Sequence, residues 1–126
     1  MKTITLTIFS LLAVSALYSQ DLAGQWNGAL NVQGTQLRLV FHVTKTGNKF
    51  KATMDSPDQN AAGIPIDSVH FNRPNLKFEI TGIKAVFEGV LSGKQINGNW
   101  MQSGQTLPLV LSKKETSPGK PKTAAR

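Results

Sequence analysis

The sequence predicts an all-β chain, folded as a single small antiparallel barrel of about eight short strands with no substantial helix after an N-terminal signal. Three observations predict this. Apolar and polar side chains alternate with a period of two through most of residues 24–112. Turns containing Gly or Asn recur at intervals of about 11 residues, the rhythm of a barrel or sandwich. No window sustains the periodicity of an amphipathic helix.

Trp26, Gly28, Leu30 and Val32 alternate with Asn27, Ala29 and Asn31, which makes a first strand with one face inward. Gly34-Thr35 turns the chain into Leu37, Leu39, Phe41 and Val43, alternating with Arg38, Val40 and His42. Thr46-Gly47-Asn48 makes the next hairpin, and Phe50, Ala52 and Met54 follow against Lys49, Lys51 and Thr53. The polar run Asp55-Ser56-Pro57-Asp58-Gln59-Asn60 reads as a turn, because Asp, Ser and Asn bond nearby backbone and Pro fixes φ. In Ile64-Pro65-Ile66 the proline cannot donate to a ladder, so this strand is expected to be an edge strand or an irregular one. Asn72-Arg73-Pro74-Asn75 turns into Leu76, Phe78 and Ile80. Three more strands, at residues 85–91, 95–101 and 107–112, add Ala85, Phe87, Leu91, Ile96, Trp100, Leu107, Leu109 and Leu111 to the inward face.

No Asp, Glu, Lys, Arg or His falls on that inward face. With so many apolar groups on short strands, a filled interior is expected. The alternative is a barrel with room for one small apolar ligand, contacted by Trp26, Phe41, Met54, Phe87 and Trp100. On the outward face Val40, Val86, Val90, Met101 and Val110 break the polar pattern. With the strands in sequence around the barrel and the last closing on the first, these five and Ala29 are expected to form a continuous apolar band. Such a band is a docking face for a partner protein or a second copy.

Residues 1–19 read as an export signal: Lys2 begins it, an apolar stretch spans residues 4–14, and Leu17-x-Ser19 precedes Gln20. The expected organisation is signal 1–19, barrel domain 20–112 and a basic disordered tail 113–126, with the protein at work in the periplasm or outside the cell. The apolar stretch is too short to span a bilayer, and no later one is long enough. The chain has no cysteine, so no disulfide holds it. Its formal charge is +7, with much of the surplus after Ser112. No strand carries a basic cluster with interleaved aromatics of the kind that a single-strand binder needs, so nucleic acid is not an expected partner.

Catalytic patterns are absent from the sequence. There is no Gly-x-Ser-x-Gly elbow to expose a nucleophile, and no Ser-x-x-Lys within the barrel region. Ser56, His42, His70, Asp58 and Asp67 form a triad only on paper. The two histidines lack metal-ligand spacing and Asp55, Asp58 and Asp67 match no calcium loop, so neither metal nor cofactor is expected.

One resemblance stands beside these readings. Gly24-x-Trp26-x-Gly28, Leu37-Arg-Leu-Val-Phe-His42 and the stretch from Ala52 to Ser68 together resemble the β-domain that precedes the catalytic part of secreted bacterial α/β-hydrolases and related serine hydrolases. The resemblance covers residues 24–111, and its most specific motif is residues 54–59, with Asp55, Ser56, Pro57, Asp58 and Gln59. Asn60 and Asn99 depart from it, standing where smaller or β-branched residues are expected. The opening Gly24-x-Trp26 is also similar to the start of lipocalin-type barrels, a likeness of architecture. What the hydrolase resemblance implies is a non-catalytic accessory or docking domain whose partner is a secreted hydrolase domain or itself. The second expectation, from the inward face, is a small carrier of apolar ligands.

Overall fold

Residues 22–114 are described by the computed structural model. They form β1 (Gly24–Val32), β2 (Thr35–Thr46), β3 (Lys49–Ser56), β4 (Ala61–Ile66), β5 (Ser68–Asn72), β6 (Asn75–Ile80), β7 (Ala85–Ser92), β8 (Gln95–Gln102) and β9 (Gln105–Lys113). Two one-turn 3-10 segments, Pro57–Gln59 and Thr81–Ile83, join β3 to β4 and β6 to β7. The fold is all-β, one antiparallel sheet in the order β4-β3-β2-β1-β9-β8-β7-β6-β5, nearly closed into a barrel. The last strand closes on the first: Trp26 lies opposite Lys113, Asn27 opposite Ser112, and the Lys114 amide donates to the Gln25 carbonyl at 2.8 Å. The signal segment and the tail beyond Lys114 lie outside the described residues.

Nine segments appear where about eight strands are expected, and the register shows why. β4 is antiparallel to β3, and β5 is antiparallel to β6. Following the antiparallel pairs around the sheet, β4 and β5 run in the same direction, separated only by Asp67. They are two halves of one kinked strand that leaves β3 and joins β6. Pro65, with no N–H, sits where that path turns away, which fits the edge or irregular strand expected there. The seam left between β3 and β5 is packed by Phe50 against Phe71, edge to face with centroids 5.7 Å apart.

All the predicted inward residues are buried or packed against the core. Leu22, Val69, Phe71 and Ile83 join them. The barrel has two unlike ends. At the base, where β1 begins and the β2–β3, β5–β6 and β7–β8 turns lie, buried Leu22 is the plug, and the Trp26 indole N–H donates to its carbonyl at 2.8 Å. Above it Phe41 stacks on Phe78 at 5.2 Å, with Phe87 about as close to both. In the wall, Gly89 and Gly98 face each other across β7 and β8 on the inward side. A Cβ on Gly98 would lie 2.7 Å from the Gly89 Cα and closer still to the Glu88 carbonyl oxygen. Only glycine allows that approach. The opposite end, the mouth, carries the β1–β2 and β8–β9 turns and both 3-10 segments.

Candidate functional site

The aromatic side chains that fill the lower barrel leave its upper part hollow. A cavity of about 550 Å³ opens at the mouth. Its wall is apolar: Leu30, Val32, Leu37 and Leu39 from β1 and β2, Met54, Ala61 and Ile64 from β3 and β4, Ile83 from the second 3-10 segment, and Trp100 and Leu107 from β8 and β9. Its polar members are Gln59, Gln102, Ser103 and Gln105, and no charged side chain lines it. The filled interior expected from the count of apolar groups is therefore corrected. The inward side chains are as predicted, but the bulky ones gather at the base.

Two glutamines are fixed by different bonds. Gln102 donates to the Ile83 carbonyl at 2.8 Å and accepts from the Trp100 indole at 3.1 Å, which locks Trp100 in the cavity wall. Gln59 accepts from the Ser56 hydroxyl at 2.8 Å, leaving its NH2 without a partner among the described residues. Of the five proposed ligand contacts, Met54 and Trp100 line the cavity. Trp26, Phe41 and Phe87 do not, because they belong to the packed base.

The motif at residues 54–59 is occupied by its own bonds. Asp55 points outward and spans three segments, accepting from the Gly63 amide at 2.8 Å and meeting His42 Nε2 at 2.8 Å. The Gly63 bond first, and His42 second, hold the Asp55 carboxyl below its ordinary range. This contact sits where the β3–β4 register shifts between Met54 and Ser56. Asp58 accepts from the Arg38 guanidinium at 2.8 and 3.1 Å and from the Arg38 backbone amide at 2.7 Å. The Arg38 side chain first, and its amide second, lower the Asp58 carboxyl to about 2. The same pair raises the Arg38 guanidinium. Pro57 opens the 3-10 turn, where its missing N–H costs nothing.

The paper triad is not assembled. Ser56 and Asp55 are neighbours in a strand and face opposite sides of the wall. Ser56 is 1% exposed and bonded to Gln59, whereas His42 lies outside with Asp55. Asp67 is a cap for the second 3-10 segment, accepting from the Thr81 hydroxyl and amide at 2.6 Å each, which hold its carboxyl low. His70 is on β5, 3.8 Å from Glu79. Among the described residues no three metal-ligating side chains gather.

The outward apolar band is also corrected. Val40, Val86, Val90, Met101 and Val110 are all unburied, as alternation requires. Val86 and Met101 lie opposite each other, but the next row is Lys77, Glu88, Asn99 and Pro108. Beyond it Asn97 separates Val90 from Val110, and Asn27 stands opposite Val40. Strict register across the strands interleaves polar rows with the valines.

Comparison with protein-family models, curated proteins and solved structures gives no match. No helix among the described residues is long and apolar enough to cross a membrane.

Proposed function

We propose that this protein is an exported, non-catalytic binding module that takes a small, uncharged, largely apolar ligand in the mouth of its barrel. The cavity carries the reading: about 550 Å³ of space, walled by aliphatic side chains and one indole, with amides at its edge. That volume lies within the usual range for small-molecule sites. At about 30 Å³ per non-hydrogen atom it suits a ligand of roughly 15 to 20 such atoms. A charged ligand would lose its hydration there and find no counter-charge on the wall.

At ~0.3 kcal/mol per atom such a ligand gains about 5 kcal/mol, so its dissociation constant falls near the hundred-micromolar range. Trp100 is in the wall and Trp26 is in the plugged base, and the chain has no other tryptophan. Trp26→Phe thus leaves one reporter at the site. Titration with medium-chain alcohols and esters is expected to change its emission saturably, with one ligand per barrel. Leu37→Glu, which puts a charge into the wall, should remove the response. A linear, unsaturated response for every probe, or one that survives Leu37→Glu, refutes the reading.

The likeness to hydrolase-associated domains supports a second role, docking to a secreted hydrolase domain or a second copy. Val90 and Val110 favour it, each 45% exposed. If Val86→Lys with Val110→Lys sediments as the parent does, alone and with such a domain, that role fails.

A further inference from the structure

We propose that the base of the barrel is a docking surface for an anionic lipid bilayer. The observation is a segregation of charge that the chain order conceals. Among the described residues the carboxylates are Asp55, Asp58, Asp67, Glu79 and Glu88, and all lie on the mouth half or the waist. They have partners there: Asp55 meets His42, Asp58 meets Arg38, and Lys77 lies between Glu79 and Glu88.

The base is basic throughout. The β2–β3 hairpin brings Lys45, Lys49 and Lys51 to it. Arg73 is in the β5–β6 turn and Lys94 in the β7–β8 turn. Lys113 and Lys114 arrive where β9 ends, on β1. No described carboxylate is at that end. In the sequence Asp21 and Glu115 flank the described residues, and Lys120, Lys122 and Arg126 follow.

The arrangement distinguishes a bilayer from a nucleic acid. The cations stand on several separate chain reversals around the rim of a plugged barrel, so they form a disc and not a groove that follows a strand of phosphates. The aromatic rings at this end are already engaged: Phe50 and Phe71 pack on each other, with Lys45 5.7 Å and Arg73 5.4 Å from their centroids. They offer no open face on which bases stack. Lysines on such a rim extend their stems toward a charged plane and keep their ammonium groups wet. Each basic residue held near an anionic leaflet strengthens binding about fivefold. Because the mouth is at the other end, a docked barrel keeps its cavity open to water.

Sedimentation of the full chain with vesicles of phosphatidylcholine, with and without phosphatidylglycerol, tests this. Binding is expected only with phosphatidylglycerol, and it should weaken as salt shortens the screening length. Lys49→Glu with Lys51→Glu and Lys114→Glu removes three exposed cations and leaves the tail intact, so binding should fall by about a hundredfold or more. Lys49→Gln with Lys51→Gln, a milder change, should lower it by about 25-fold. Unchanged thermal unfolding shows that both variants are folded. Variants that bind within about threefold of the parent overturn the proposal, as does equal binding to phosphatidylcholine alone. Tighter binding to double-stranded DNA than to anionic vesicles at the same salt also overturns it, and assigns the base to nucleic acid.

Discussion

Gly98→Ala tests whether the closed wall depends on close approach between β7 and β8. The added Cβ would lie 2.7 Å from the Gly89 Cα and closer to the Glu88 carbonyl oxygen, both backbone atoms that cannot swing away. To reach an ordinary contact of 3.4 Å from 2.7 Å, the strands must part by at least 0.7 Å. Two flanking ladder bonds would then be lost or badly stretched, at about 1 kcal/mol each. Overpacking adds ~1–3 kcal/mol. The sum, about 3–5 kcal/mol, is a large share of the 5–15 kcal/mol that usually holds a domain folded. Urea unfolding followed by tryptophan emission measures it. Gly82→Ala is the control: a Cβ on Gly82 would meet nothing within 4 Å, and its φ is not positive, so that change should be neutral or stabilise by up to ~1 kcal/mol. If Gly98→Ala costs less than about 1 kcal/mol, the wall relaxes freely and the close approach is not a requirement of the fold.

Two further outcomes follow from the two ends of the barrel. The Asp58 carboxyl is lowered from 3.8 to about 2 by Arg38, so its contribution is full above pH 4 and is lost as pH falls through 2. The melting temperatures of the parent and Asp58→Asn should therefore differ at pH 5 and converge only below pH 2; a constant gap would contradict the pairing. Leu22→Ala opens a cavity in the plug beneath Trp26 and should cost about 2–5 kcal/mol in urea unfolding. A cost below about 1 kcal/mol would mean that the plug frays in solution.

How legible each feature is depends on whether its cause is local. The inward faces are local, since alternation alone assigns them, and Leu30, Phe41, Phe78 and Leu111 are buried as read. β5 is local too, because Val69 and Phe71 alternate with Ser68 and His70. It is hidden by the absence of a turn before it, only Asp67 standing between it and β4. Leu22 precedes the first alternation, and Ile83 sits in a segment that reads as a loop. The cavity is not local. A set of apolar residues says nothing of where the large rings fall along the barrel axis, and here Trp26, Phe41, Phe78 and Phe87 crowd the base half. The basic base is hidden for the same reason. Its lysines are scattered from residue 45 to residue 114, and only the meander gathers them.

The motif at residues 54–59 can be separated into backbone and side-chain requirements, because the fold repeats its backbone. Ser56 precedes the first 3-10 segment at φ −128°, ψ 84°, and Ile80 precedes the second at φ −120°, ψ 84°. Asn60 and Lys84 end them, both left-handed at φ 56°. Thr81-Gly82-Ile83-Lys84 thus makes the same turn with none of the motif's side chains, so the turn itself does not demand them. Asp55 and Asp58 have structural work elsewhere, and Ser56 occupies a position that Ile80 fills with an apolar group. What remains is Gln59, whose counterpart Ile83 also lines the cavity. If Gln59 selects ligands, converting it to its counterpart changes selectivity and spares the fold. Gln59→Ile alone would leave the buried Ser56 hydroxyl without its acceptor, at a cost of about 1–3 kcal/mol. Ser56→Ala with Gln59→Ile removes both partners and should unfold near the parent's urea midpoint. Its affinity for an alcohol should drop several-fold relative to the alkane of the same length, the loss of one hydrogen bond of about 1 kcal/mol. An unchanged alcohol-to-alkane ratio would show that Gln59 does not touch the ligand, and the motif would then be a device for pinning β2, β3 and β4 together.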